Sequence, residues 1–488
     1  MSFRGSRLAR RGDLRGETHH RGAVRAGTRA AATLGVCALV AACGSSSSSS
    51  SSKSASSSAA SSAAATSSST SAVNASAGLS GDLKLTVFTF SAPVMKPIIA
   101  AWEKLNPEVH VSYSVVSNGN TYVPLLQTEK LAGTLPDIAE TYDVLTPTLE
   151  VDNLLSNLSP FLAKGEPYPQ SYWLPTFMAS YVPPTGAPKG VGDVYALPNE
   201  ADATVIFLNK NEFKAAGVPL PTNGWTWSQM VADAAKLSDK AKNRYGICER
   251  PDWQAEYNPV LKAYGVTAFT ETKSDLASPA AIKAWRLMIG PLQDGIAVPE
   301  SQLVAEGDND CTPFFTSGEA AMSIEVRGNL PSVQQGVGTK FAYDVVPMPS
   351  IPGPSGTVIP TGGGSVGWTI TSGVKNTANA LAFLKYLFSA AGQAVAEKTF
   401  GVVPAVGSLN GPTALWRTQA GGPANSAAFV IAANSATIAP QTPGRVFTLS
   451  NTAIPNAVEE VTDNKQSLAS AFGSLQSQMT AAYAQAKG

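Results

Sequence analysis

Between Gly44 and Thr70 the chain is almost entirely serine and alanine, broken only by Lys53 and Thr66. Such a stretch has too little apolar surface to repay the entropy of ordering its backbone, so it cannot join a core. It therefore divides the 488 residues into a short leading part and a body running from Asp82 to Gly488. The whole chain is 44% hydrophobic and 14% charged, with a formal net charge of zero. That apolar content supports a sizeable core, and the length points to more than one domain. The neutral balance argues against a nucleic-acid partner, which needs a basic face.

The leading part is arginine-rich over residues 1–29 and holds His19 and His20. It runs into AAATLGVCALVAAC, Ala30 to Cys43. A charged start, a short apolar run and small residues before a cut site are the grammar of a secretory signal. The alternative, a transmembrane helix, needs about 20 apolar residues where roughly a dozen are present. The pair Arg10–Arg11 lies far from the apolar run and leaves the choice between the general and twin-arginine export routes open. Val40-Ala41-Ala42-Cys43 resembles the bacterial lipobox. That resemblance implies that residues 1–42 are a lipoprotein signal peptide and that Cys43 becomes the acylated first residue of the mature chain. Residues 43–81 are then a lipid-anchored tether, whose flexible part would reach on the order of 30–35 Å. A plain linker with a buried cysteine is the other reading.

Within the body, Leu83–Ser91 is apolar with β-branched and aromatic residues and reads as a buried strand. Ile98, Ile99, Trp102 and Leu105 fall on one helical stripe that Pro107 closes. Val109–Val116 reads as a second strand, Tyr122–Gly133 as a helix, and Leu135–Tyr142 as a strand entering a loop. Strands alternating with helices predict an α/β body built on parallel strands.

The stretch from Ala203 to Leu237 is similar to a hallmark segment of bacterial extracellular solute-binding proteins. Asn209-Lys210, Ala216-Gly217, Pro219, Pro221 and Thr226-Trp227 carry the likeness. Phe314–Ile324, Tyr343–Thr371 and the helix-like Asn376–Gln393 resemble later segments of the same family, in the same order. The nearest group is the maltose-binding-protein-like set that serves carbohydrate importers of the ABC class. The resemblance implies a two-lobed periplasmic-binding-protein fold with a ligand cleft between lobes joined by crossing strands. Residues 82–199 plus 360–402 would form the first lobe and 204–356 plus 407–488 the second, with crossings near 197–202, 358–363 and 401–406. It implies a monomer on the outer face of the bacterial cell membrane that takes a sugar, oligosaccharide or related polyol and passes it to permease subunits.

A sugar site wants aromatic platforms for C–H faces and carboxylates, amides or arginine for hydroxyls. By likeness to the family, Tyr142 and Asp143 end a cleft strand, and Asn199, Glu200 and Asp202 flank the first crossing. Glu249, Asp252, Trp253 and Tyr257 form a ligand-contacting loop. Gly363 and Gly364 sit at the second crossing, with Trp368 further along. Where relatives place stacking aromatics, this chain has Arg327, Gly328 and Asn329, and near the C-terminus Arg445. Arginine forks bind vicinal hydroxyls, carboxylates or phosphates, which points to a more polar or anionic ligand. Each arginine has the plain alternative of a surface or salt-bridge role, and Trp253 that of a packed core aromatic. Trp225, Trp227 and Trp285 read as core.

Catalysis finds little support. His110 alone remains in the body, in a strand-like alternation with no nucleophile motif beside it. No spacing suggests zinc, and neither a P-loop nor a dinucleotide fingerprint is present, so neither metal nor cofactor is expected. Two rivals stay open: a secreted carbohydrate-active hydrolase, which needs two carboxylates about the bond, and a surface-binding lipoprotein with no transport role. Cys248 and Cys311 form an even pair that an exported compartment permits to bridge.

Overall fold

The computed structural model describes residues 78–486, apart from 90, 118–120, 182–192, 306–310, 355, 401–402, 411–413, 415–416, 418–421, 440–441 and 443. The expected signal peptide, Cys43 and the tether up to residue 77 lie outside the described residues. The body begins slightly before Asp82. Leu79 packs on the core, the Asn379 amide donates to the Ser80 carbonyl at 3.0 Å, and strand β1 starts at Gly81.

The first sheet is built from β1 (Gly81–Phe88), β2 (Val109–Val116), β3 (Ile138–Tyr142), β4 (Leu197–Pro198) and β11 (Val366–Ile370), in the order β2-β1-β3-β11-β4. The second uses β5 (Asp202–Asn209), β6 (Met322–Val326), β7 (Tyr343–Pro347), β10 (Gly362–Gly364) and β12 (Thr437–Ile438). Its order is β12-β10-β5-β6, with β7 also on β5. A hairpin of β8 (Ile351–Gly353) and β9 (Gly356–Val358) stands apart. The expectation of parallel strands holds for β1, β2 and β3. It holds for β10 and β12 too, but fails for the remaining pairs of these two sheets: β11 runs antiparallel to β3 and β4, and β5 antiparallel to β6, β7 and β10. The reason is connectivity. A strand arriving from the other lobe enters a sheet against the direction of the strands wound within it.

The helix Ala92–Leu105 shows how the sequence builds the first lobe. Val94, Met95, Ile98, Ile99 and Trp102 form its buried stripe, and Trp102 meets Phe383 edge to face at 5.3 Å. In the second lobe the family-like segment has plain physical roles. The Asn209 side chain caps the helix Lys210–Ala215 by accepting from the Asn211 and Glu212 amides. Gly217 follows that helix at φ +65°, a left-handed conformation that favours glycine. Thr226 and Gln229 make a reciprocal capping box on the helix Trp227–Leu237. Trp225, Trp227 and Trp285 are buried, and the Trp225 indole donates to the Pro347 carbonyl at 3.0 Å.

The two lobes meet at three hydrogen-bonded segments. The chain leaves the first sheet after Pro198 and enters the second at Asp202. It returns between Gly364 and Val366, a few residues beyond the expected 358–363, because Gly362–Gly364 already pairs with β5. The Asn199 amide donates to the Val366 carbonyl at 2.8 Å and the Ala201 amide to the Val403 carbonyl at 2.8 Å. The Ala405 amide donates to the Asn199 carbonyl at 3.2 Å. At Gly362 backbone packing leaves no room for a side chain: a Cβ there would lie 1.7 Å from the Ala255 carbonyl oxygen.

Candidate functional site

Two cavities open between the lobes, of about 380 Å³ and about 390 Å³. Trp253 and Val366 line both, so Trp253 divides an inner chamber from an outer one. It precedes the helix Gln254–Ala263 in extended conformation. The Arg250 guanidinium sits 5.7 Å from the ring centre and 3.6 Å from the Asp252 carboxylate. The register of β3 on β11 supplies the opposite wall. Trp368 lies opposite Glu140 and Val366 opposite Tyr142. Paired residues on adjacent strands share a face, and that face alternates every second residue. One sheet face thus gives Glu140 and Trp368 to the inner chamber and Tyr142 to the outer.

The inner chamber is lined by polar groups on an apolar floor. Ser91, Glu140, Asn199, Glu200, Asp202, Asn329 and Ser332 are the polar set, and Val94, Met95 and Ile98 belong to the floor. Burial pushes the Glu140 carboxyl up to about 8, although the Ser91 hydroxyl and the Phe88 amide, at 2.6 Å, donate to it and pull the other way. Burial also raises Glu200 well above the usual carboxylate range, with Asp202 and Glu140 adding to it. Asp202 is raised to about 6 by burial, against the Gly328 amide at 3.1 Å and the Arg327 guanidinium. The outer chamber takes Tyr142, Arg250, Asp252, Gln254 and Tyr257, with Phe447, Ser450, Asn451 and Pro455 from the helix Gly444–Thr462.

Of the residues singled out in the sequence, Asn199, Glu200, Asp202, Trp253, Asn329 and Trp368 come together around the inner chamber, and Tyr142, Asp252, Trp253 and Tyr257 around the outer. The others do not line either. Asp143 follows Tyr142 in the turn after β3, and its carboxyl is buried, with burial pushing it to about 7. Glu249 is buried, and burial together with Glu256 raises it well above its ordinary range. Gly363 is packed into the second sheet between Ala436 and Ile438, and Gly364 continues that strand. Neither arginine lines a chamber. Arg327 is buried against the Phe429 ring at 5.0 Å and beside Asp202, and burial lowers it to about 10. Arg445 is exposed at the start of its helix. Tyr257 also lies on a helix, not in a loop, since Gln254 already begins the turn.

Sequence reasoning missed Ser91, Glu140, Ser332, Gln254 and the Phe447–Asn451 face. Glu140 carried a signal, a carboxylate inside an otherwise apolar strand. Phe447 lay two residues beyond Arg445, and the spacing Phe447, Ser450, Asn451 is that of one helix face.

Cys248 and Cys311 are joined in a disulfide with Cα atoms 5.6 Å apart. It ties the start of the Trp253 loop to the segment before the helix Thr312–Ser317. Among the described residues no group of His, Cys, Asp and Glu could hold a metal ion, and no helix is long and apolar enough to cross a membrane.

Residues 89–394 match the model of the family described as bacterial extracellular solute-binding protein. A binding protein of Brucella abortus (strain 2308) is 24% identical over 279 residues, 54% of this chain; the match spans 64% of that relative's length. A multiple sugar-binding protein of Streptococcus mutans is 23% identical over 331 residues, 65% of this chain and 74% of its own length. Among solved structures, an ABC substrate-binding protein from Listeria monocytogenes in complex with cycloalternan superposes with a TM-score of 0.69 at 19% identity. That superposition covers 82% of this chain and 98% of the other.

Proposed function

The chain belongs to the bacterial extracellular solute-binding protein family, and from that premise we propose that it captures a carbohydrate or related polyol between its lobes and delivers it to the permease of an ABC importer. The observation that carries this reading is the pair of polar chambers on either side of Trp253. A pyranose offers hydroxyls around its edge and C–H groups on its face. A row of carboxylates, amides and an indole suits both. The exported protein is held at the outer face of the cell membrane by lipid on Cys43 and works as a monomer without cofactor. It binds without turning its ligand over: the family and its structural neighbours are binding proteins.

A thermal-shift screen over sugars, oligosaccharides and sugar alcohols tests the proposal. A ligand bound only by the folded chain raises stability with concentration as RT ln(1 + [L]/Kd). Saturable shifts with unchanged sugar on chromatography support a carrier. Release of hydrolysed sugar would make it an enzyme.

A further inference from the structure

The inner chamber is unusual in its charge. Glu140, Glu200 and Asp202 reach it from β3, the crossing segment and β5, and the described lining residues include no lysine, arginine or histidine. Two of the three carboxyls are answered from within the protein. Glu140 accepts from the Phe88 amide and the Ser91 hydroxyl. Asp202 accepts from the Gly328 amide and faces Arg327. Glu200 is different: the charges that act on it are Asp202 and Glu140, both of its own sign, and a single Val366 amide opposes them. The Trp368 side chain also lines this chamber.

A carboxyl kept from water beside two others is costly to ionise unless a positive charge arrives with the ligand. An ammonium group would supply it, and the faces of Trp253 and Trp368 favour a cation beside them. An anionic ligand would meet three carboxyls instead. We propose that the inner chamber takes the amine-bearing end of a cationic polyol, of the amino-sugar class, with Glu200 as the residue that selects it. The inference rests on the carrier reading above and reverses the anionic preference that the two arginines suggested. Binding moves one proton. Glu200 gives its proton to solvent as the ammonium pairs with the carboxylate, so the ligand keeps its charge and the buffer takes up one proton. The titratable groups facing Glu200 are Asp202, Glu140 and Tyr181, and Arg327 acts on Asp202.

The test uses the exported full chain in detergent and isothermal titration with glucosamine, glucose and glucuronate, and with the β1,4-linked dimers of the first two, in HEPES and in phosphate at neutral pH. The amine member of each pair should bind at least tenfold tighter than its neutral counterpart, with about one proton released, and glucuronate should give no saturable heat. Glu200→Gln should bring the amine and neutral members within threefold of each other and abolish the proton release. Glu200→Asp keeps the charge and should keep the preference, which separates loss of charge from loss of fold. Equal or tighter binding of the neutral members overturns the amine inference and leaves the carrier reading standing. An amine preference that survives Glu200→Gln with its proton release overturns the role of Glu200. No saturable binding by any member, or hydrolysis of the dimers, counts against both.

Discussion

Trp368 on β11 stands directly opposite Glu140 on β3, and two residues along Val366 stands opposite Tyr142. This register places an indole and a carboxyl in the inner chamber and a phenol in the outer. Because the strand period is two, a shift by one residue would send all of them into the core. The first lobe's half of the cleft is thus set by backbone pairing, and the second lobe's half by Trp253 at the head of its helix.

Trp253 lines both chambers and is much larger than Val366, which does the same, so its removal should hurt any ligand that spans them. Trp253→Ala is expected to weaken binding by roughly 1–4 kcal/mol, the range for a buried anchor, with the melting temperature of the unliganded protein little changed. Arg445→Ala should leave affinity within threefold, since that side chain is exposed. Phe447→Ala, one helical step further in, should weaken it. Titration of the three variants with the sugar returned by the thermal screen decides the matter.

That contrast shows what was legible in the sequence. Asn209, Gly217 and Thr226 stood out through the family-like segment, and the structure gives them the roles of caps and a left-handed glycine, while the tryptophans read as core and are buried. The inner set at Asn199, Glu200 and Asp202 could be placed because it flanks a crossing. Arg445 and Phe447 could not be told apart, since only the phase of the helix decides which faces the cleft. Asp143 and Glu249 were expected at the site by likeness to the family, yet both are buried and line neither chamber.

Buried carboxyls also predict how stability follows pH. Burial raises Glu140 from its ordinary 4.5 to about 8, and Glu256 likewise, with Asp252 and Glu325 adding to it. Between those pH values the folded chain holds protons that the unfolded chain has released. Their contribution to stability is complete below about 4.5 and is lost as pH rises through about 8. Urea midpoints should fall across that window, and Glu140→Gln should flatten the slope. A slope unchanged in the variant would mean that Glu140 is not protonated in the folded state.

The disulfide closes a loop with a sequence separation of 63 between Cys248 and Cys311. Chain entropy alone assigns such a loop on the order of 4 kcal/mol, less any strain. Cys311→Ser should lower the urea midpoint by a large part of that. It should also weaken ligand binding, because Cys248 leads directly into the Trp253 loop. Equal midpoints with and without reductant would contradict the first expectation.

Anchoring is tested at Cys43. Radiolabelled fatty acid should enter the wild-type protein and the protein should sediment with membranes. Cys43→Ala should lose the label and change processing or release the protein. Label that persists in the variant would place the lipid elsewhere.

The central claim is that one ligand bridges both lobes. A ligand drives closure only through contacts it gains in the closed state. Small-angle X-ray scattering of the protein, titrated with a ligand that saturates in calorimetry, measures this directly. The account predicts a radius of gyration that shrinks along the same saturation curve, with the shrinkage lost in Trp253→Ala at equal ligand concentration. A tight ligand that leaves the radius unchanged, and whose affinity survives Trp253→Ala, would contradict it.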